Sequence, residues 1–96
     1  MTEAEIERRV VHFCRQNCLL TYKFTSPAHR GVPDRIIMAG GKVLFLELKQ
    51  AGKQPTPLQM REMENINAHS ACDEVVATWA AGLDAALVAI RKVFHL

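Results

Sequence analysis

A glycine pair at positions 40 and 41 is the feature that most constrains how this chain can fold. It joins residues 36–38 to residues 43–46, and both flanking runs are apolar and rich in β-forming side chains. A Gly-Gly dipeptide accepts the positive φ angles of a two-residue turn, so the sequence predicts an antiparallel hairpin. Counting down the ladder from this turn places Asp34 opposite Glu47, with Cβ atoms about 4.5–5.5 Å apart. Lys49, two residues beyond Glu47, then projects from the same face.

The opposed carboxylates of Asp34 and Glu47 would repel each other unless something neutralises them. Lys49 can do part of this, and a hard divalent cation can do more. Mg²⁺ commonly binds one or two carboxylates and fills its other positions with waters and phosphate oxygens. The alternative is an ordinary strand-end salt bridge between Lys49 and Glu47, with Asp34 as a turn residue.

Charge is distributed unevenly along the chain, although the net charge is only +2. Residues 23–53 carry six Lys or Arg side chains against two acids. A basic region of this kind favours salt-sensitive, sequence-independent contact with nucleic-acid phosphates, and a solvated basic loop is the alternative. The candidate DNA-binding residues are Lys23, His29, Arg30, Arg35 and Lys53.

Four sequence segments, at residues 23–27, 30–35, 45–49 and 57–59, together resemble the virus-type replication-repair nuclease domain, VRR-NUC, of the PD-(D/E)XK nuclease superfamily. Pro33-Asp34 and Glu47-Leu48-Lys49 match the superfamily motif. Gly31-Val32 before Pro33, and Gln59 after the hairpin, make the match more specific to VRR-NUC. The resemblance covers residues 3 to about 77, and it implies a stand-alone phage or bacterial type with residues 1–96 as a single domain. The fold that it implies is α/β, an αβββαβα restriction-endonuclease-like core with a mixed sheet flanked by helices.

The resemblance also implies a set of site residues and a reaction. Asp34, Glu47, Lys49 and Gln59 would be catalytic, and Asp34, Glu47, the Leu48 carbonyl and Glu3 would hold Mg²⁺ or Mn²⁺. The expected reaction is metal-dependent hydrolysis of phosphodiester bonds in DNA with structural selectivity. By analogy with stand-alone members, the expected substrate is a four-way (Holliday) junction or other branched DNA, cut by a homodimer. A non-catalytic DNA-structure-binding module on the same fold is the runner-up, and a small interaction protein that dimerises through its C-terminal helix is a third class.

Capping signals at two helix starts each admit a structural and a functional interpretation. Thr2 and Glu5 form a capping box for a helix over about 3–18, whose apolar stripe includes Glu3 within its angular span. Glu3 is therefore either a metal ligand or an acid favoured by the helix dipole, and Glu7 lies at the edge of the stripe. Thr56 and Gln59 form a second capping box, so Gln59 serves as a cap, a site residue or both.

The other predicted elements complete the αβββαβα order. They are a strand over 19–25, a loop over 26–33, a strand over 74–79, and a last helix from 82–84 to about 92. In the second helix, Met60, Met63, Ile66 and Asn67 are predicted to lie on one side, and Leu58, Arg61, Glu62, Asn65 and His69 to lie outward or at its flanks.

The cysteines and the hydropathy argue against several other classes of protein. Three cysteines without a secretory signal argue against a disulfide framework. A zinc site built from His12, Cys14, Cys18, His69 and Cys72 is a minor alternative to small buried thiols. No segment has the roughly 20 apolar residues of a membrane span, so we expect a cytoplasmic protein of a bacterial or phage-infected cell.

Overall fold

The glycine turn forms as predicted in the computed structural model, which describes residues 1–70 and 72–96. Gly40 and Gly41 have φ angles of 56° and 80°, and the ladder runs from Ala39↔Lys42 to Arg35↔Leu46. This is the predicted register. Because the second strand begins at Arg35, Asp34 lies one residue before it.

Three helices and four strands follow one another in the predicted αβββαβα order. In chain order they are α1 (Glu3–Gln16), β1 (Leu20–Lys23), β2 (Arg35–Ala39), β3 (Lys42–Lys49), α2 (Pro57–Ala68), β4 (Val75–Ala81) and α3 (Leu83–Phe94). The sheet order is β1-β2-β3-β4, with two antiparallel pairings and a parallel pairing of β3 with β4. The predicted mixed sheet with flanking helices is therefore confirmed.

Helix α1 starts where the capping signal predicts and ends earlier than expected. The Thr2 side chain accepts a hydrogen bond from the Glu5 N–H at 3.2 Å. The helix stops at Gln16, because Asn17 adopts non-helical angles and Cys18 has a φ of +58°. The left-handed residue turns the chain into β1, which spans four residues instead of the predicted seven.

The main core lies between the sheet and helices α1 and α3. Ile6 and Val10 of α1, Leu44 and Leu46 of β3, and Ile90 of α3 are all at most 1% exposed. These side chains belong to one continuous hydrophobic cluster. Alternate residues of β3 therefore face this core, and Glu47 lies on the opposite side of the strand.

Helix α2 packs against β4, but its predicted orientation is wrong at two positions. Met63 is buried as expected, and the Asn67 side chain exchanges two 2.8 Å hydrogen bonds with the Ala77 backbone. Met60, predicted on the same side, is 38% exposed, whereas Glu62, predicted outward or at the flank, has a side chain only 13% exposed. The apolar stripe of this helix is weak, so the contacts of its neighbours decide which side is covered.

Strand β4 and helix α3 extend further than predicted. The strand runs to Ala81 and the helix to Phe94. Gly82 separates them with a φ of +91°, which allows the chain to change direction within one residue. Within the described residues, no helix combines the length and the apolar character needed to cross a bilayer.

Candidate active site

Asp34, Glu47 and Lys49 meet at the end of the hairpin far from its turn. Asp34 Oδ2 accepts a hydrogen bond of 2.9 Å from the Leu48 backbone N–H, which ties the carboxylate to β3. Lys49 Nζ lies 3.5 Å from Glu47 Oε2. Both the carboxylate pair and the lysine predicted from the hairpin register are therefore in one place.

Glu47 is a buried acid with an unsatisfied oxygen. The residue is 2% exposed, and Oε1 has no hydrogen-bond partner among the described residues. Burial, and after it the negative charge of Asp34, raise the pKa of Glu47 to about 7. The ammonium of Lys49 opposes these effects, and Glu3 adds a weaker repulsion. A buried carboxylate with a free lone pair next to a second acid is a position that attracts a cation.

Glu3 and Glu7, two of the three acids of α1, lie beside this position and differ in their surroundings. Glu3 is exposed, and it is close enough to Glu47 for its charge to act on that carboxyl. Glu7 already has two cationic partners, with Arg35 Nη1 at 3.1 Å and Lys23 Nζ at 3.7 Å. Of these two acids, Glu3 is therefore the one that remains available to a ligand.

A cleft of about 190 Å³ opens beside these groups and is lined by Glu3, Ala4, Glu7, Asp34 and Leu48. Over residues 1–70 and 72–96, no group of three or more His, Cys, Asp or Glu side chains is close enough to form a complete protein ligand set. Any cation here would thus depend on waters or substrate for most of its coordination.

Gln59 forms the predicted capping box at the start of α2. Its Oε1 accepts a 2.9 Å hydrogen bond from the Thr56 N–H, and its own N–H donates to Thr56 Oγ1 at 3.2 Å. The capping role is therefore present. A site role stays a prediction, and it would use the Nε2 group that the capping box does not engage.

The five predicted DNA-binding residues do not share one environment. Lys23, Arg30 and Lys53 are exposed. His29 is also exposed, and its Nε2 lies 2.9 Å from Glu62 Oε2, which fastens the loop before β2 to α2. Arg35 does not fit the prediction.

Arg35 is buried, with 8% of its surface exposed, and its guanidinium is occupied by Glu7 and Thr21. The alternation of β2 turns this side chain toward α1, next to core residues such as Ile37. We therefore correct its assignment: Arg35 anchors α1 to the sheet and is not a phosphate-binding residue.

Sequence reasoning missed a basic groove along α1 that includes Arg8, His12 and Arg15. Their i, i+4, i+7 spacing is a signal that could have identified one helix face.

The three cysteines do not share a site within the described part of the chain. Cys14 is buried, and burial raises the pKa of its thiol to about 11, which keeps it in the unreactive neutral form. Cys18 and Cys72 are exposed and free.

Known proteins similar to this chain include a phage protein and two solved structures. No protein-family model matches the chain. A protein of Acyrthosiphon pisum secondary endosymbiont phage 1, named "Putative nuclease p44", is 46% identical over 61 residues, which are 62% of this chain and 66% of that protein. The match thus spans just under two thirds of the relative's length.

Two solved structures are similar to this chain along almost its entire length. One, described as a VRR_NUC domain, has a TM-score of 0.81 and 19% identity, and the match covers 95% of this chain and 97% of that one. The second, a VRR_NUC domain protein, has a TM-score of 0.75 and 22% identity, with coverage of 99% and 89%. The connectivity and sheet order define an αβββαβα core around a mixed four-stranded sheet. More particularly, the chain has the fold of VRR-NUC domains, which confirms the resemblance predicted from its sequence.

Proposed function

We propose that this protein is a metal-dependent nuclease that hydrolyses phosphodiester bonds in DNA. The observation that carries the proposal is the buried carboxylate of Glu47, whose Oε1 lacks a partner in the described chain while Asp34 and Lys49 stand beside it. Such an arrangement destabilises the fold, so it is typical of a functional site. The phage relative carries the word nuclease in its name, which supports the same reaction class.

The donor set fits Mg²⁺ or Mn²⁺. Asp34 and Glu47 would supply carboxylate oxygens and the Leu48 backbone a carbonyl oxygen. Glu3 would extend the shell through a coordinated water, because no three acidic side chains within residues 1–70 and 72–96 are close enough to ligate one ion together. One or two protein carboxylates suffice for Mg²⁺, since waters and phosphate oxygens complete its octahedral shell. When bound, such a cation lowers the pKa of a coordinated water and neutralises charge that develops on the phosphate.

The protein groups around this position would orient the reactants. Lys49 has three N–H donors, and its contact with Glu47 leaves others to hold an attacking water or a phosphate oxygen. The Leu48 N–H keeps the Asp34 carboxylate in one orientation, so little reorganisation is needed during the reaction. Gln59 would position Lys49, the water or the phosphate through its Nε2 group.

A cleavage assay tests the proposal directly. The purified protein is incubated with linear, flap, splayed and four-way-junction DNA in Mg²⁺, Mn²⁺ or EDTA. We expect cleavage by the parent only with metal, and a loss of about 100-fold or more in Asp34→Ala and Glu47→Gln. Glu64→Gln, which neutralises an exposed acid on α2, is the matched control and should cut like the parent. A parent that binds DNA but cuts no substrate with either metal would instead be the non-catalytic DNA-structure-binding module.

The finer proposal is that branched DNA, in particular a four-way junction, is the preferred substrate and that a homodimer is the active form. Two active sites related by a two-fold axis would suit paired symmetric incisions. An apolar groove of about 550 Å³ between β4 and α3 supports self-association, since Val76, Val88 and Val93 line it and Val88 is 64% exposed. Light scattering should report a dimer for the parent and a monomer for Val88→Glu. A parent that is monomeric while it cuts junctions would refute the proposal of paired symmetric incisions by a dimer.

A cytoplasmic location in a bacterial or phage-infected cell stays a prediction.

The two roles of Gln59 can be separated by one substitution. Gln59→Glu keeps the Oε1 acceptor for the Thr56 N–H and places an acid in the first helical turn, where the dipole favours it. We expect an unchanged melting temperature and at least tenfold slower cleavage, because the Nε2 donor is lost. Thr56→Ala is the converse control, with a loss of about 1 kcal/mol in stability and unchanged cleavage. Parental cleavage by Gln59→Glu would reduce Gln59 to a helix cap.

A further inference from the structure

The outer face of α1 borders a groove of about 420 Å³ that the proposed reaction does not use. Basic side chains from three elements line it: Arg8, His12 and Arg15 from α1, Lys23 from β1, and Arg35 from β2. Glu7 is the one acid among its lining residues, and Ala4 and Val11 complete the wall. The groove is thus a concave surface with four permanent cations and a single carboxylate.

Ion pairing within the groove leaves a positive surplus. Glu7 is matched by Arg35 at 3.1 Å and by Lys23 at 3.7 Å. Arg8 and Arg15 form no ion pair within the described part of the chain, and both are exposed. Guanidinium groups are well suited to phosphate oxygens, because their planar fork can donate two parallel hydrogen bonds.

The spacing of these side chains suits an extended polyanion. Arg8, His12 and Arg15 occupy i, i+4 and i+7 positions, so they form one row along the helix. The row is about 10 Å long at 1.5 Å per residue, which is longer than the roughly 3.4 Å of duplex axis that separates successive phosphates of one strand. A row of donors that long can contact two or three consecutive phosphates.

The groove is continuous with the candidate active site. Ala4 and Glu7 line both this groove and the cleft that contains Glu3, Asp34 and Leu48. A strand with one phosphate at Asp34 and Glu47 could therefore continue along α1 without leaving the surface.

We propose that the α1 groove binds the phosphate backbone of the DNA strand that is cut, with Arg8 and Arg15 as direct phosphate ligands and His12 as a further donor between them. This inference rests on the proposed nuclease function, because the groove is assigned to the same substrate. It contacts backbone and not base edges, so it positions DNA without reading sequence.

The salt dependence of binding tests the groove. DNA affinity is measured by fluorescence anisotropy in EDTA between about 50 and 200 mM salt, with a short duplex and with the corresponding single strand. Each phosphate contact contributes about 0.9 to the slope of log K against log salt concentration for duplex and about 0.7 for single-stranded DNA. Arg8→Gln/Arg15→Gln should therefore reduce the slope by about 1.8 if the groove holds duplex DNA, or by about 1.4 if it holds a single strand. The DNA form that shows its expected reduction is the form that the groove holds.

Arg9→Gln is the matched control, because Arg9 is an exposed arginine on the same helix outside the groove. It removes a positive charge without removing a groove contact, so its slope should stay within experimental error of the parent. The inference is overturned if the double variant, folded by its thermal melt, keeps the parental slope or if Arg9→Gln loses as much slope per charge.

Failure of the groove and failure of the nuclease proposal give different results. A parent that cuts DNA with metal while Arg8→Gln/Arg15→Gln retains the parental slope would refute the groove alone. A parent that cuts nothing but loses slope in the double variant would refute the nuclease proposal alone.

Discussion

Glu47→Gln should make the metal-free protein more stable at neutral and alkaline pH while it abolishes cleavage. The unfolded chain has an ordinary Glu pKa near 4.5, whereas burial and Asp34 raise the pKa of folded Glu47 to about 7. Between these values the folded state binds more protons than the unfolded state, so the free energy of unfolding falls as pH rises. Each unit of difference corresponds to about 1.4 kcal/mol, which gives a total loss of about 3 kcal/mol between pH 4.5 and pH 8.

Glutamine keeps the size of the side chain and removes the ionisation. Below pH 4.5, where Glu47 is neutral in both states, the variant and the parent should have similar stability. At pH 8 in EDTA, the variant should be more stable by up to about 3 kcal/mol. The pH dependence of titratable groups that do not interact with Glu47 cancels in the difference between the two proteins, because those groups are common to both.

Urea denaturation from pH 4 to pH 8.5 in EDTA measures this difference, and a second series contains Mg²⁺. Binding of metal to the folded state should raise the stability of the parent by about 2.7 kcal/mol at a hundredfold excess over Kd, with a smaller gain for Glu47→Gln. Glu64→Gln controls for the removal of one negative charge from the molecule. Lower stability of Glu47→Gln than of the parent at pH 8 without metal, or a stability difference that does not grow between pH 5 and pH 8, would contradict this prediction.

Two further substitutions test how the loop before β2 and the sheet edge are held. Gly31→Ala should destabilise the protein by about 1–3 kcal/mol more than Gly40→Ala in thermal melts: both glycines have positive φ, but only at Gly31 would the new Cβ lie 2.8 Å from Leu58 Cγ. Equal losses for the two variants would mean that the loop does not press against α2. Asn67→Ala should cost about 1–3 kcal/mol, because the Ala77 N–H and C=O at the edge of β4 lose their partner. Asn67→Asp keeps the oxygen that accepts from the Ala77 N–H, so it should recover part of that loss. If Asn67→Ala is as stable as the parent, water fully replaces the amide.

The parts of the fold that the sequence predicts correctly depend on neighbours close along the chain. The Gly40-Gly41 turn sets the register of the hairpin, and a period of two then determines which residues of β3 share a face. Thr2 and Thr56 mark helix starts because capping joins residues only three apart. The proximity of Lys49 to Glu47 follows from the same alternation.

The errors occur where contacts come from distant segments. The basic stretch around Arg35 predicts a surface cation, but its partner Glu7 is 28 residues earlier in the chain. The side of α2 that is covered depends on Gly31 of the preceding loop and on Ala77 of β4. Its own apolar pattern does not distinguish Met60 from Met63 strongly enough.

The pairing of two acids with a lysine follows from the sequence alone, because a two-residue turn and strand alternation are local properties of the chain. Tertiary packing buries Glu47, raises its pKa and leaves one of its oxygens without a partner among the described residues, since the environment of Glu47 includes the parallel pairing with Trp79 and the charge of Glu3. The tertiary structure likewise brought Lys23 of β1 beside Arg8 and Arg15 of α1. Desolvation and charge–charge interaction depend on distance in space, and the packing of remote segments sets that distance.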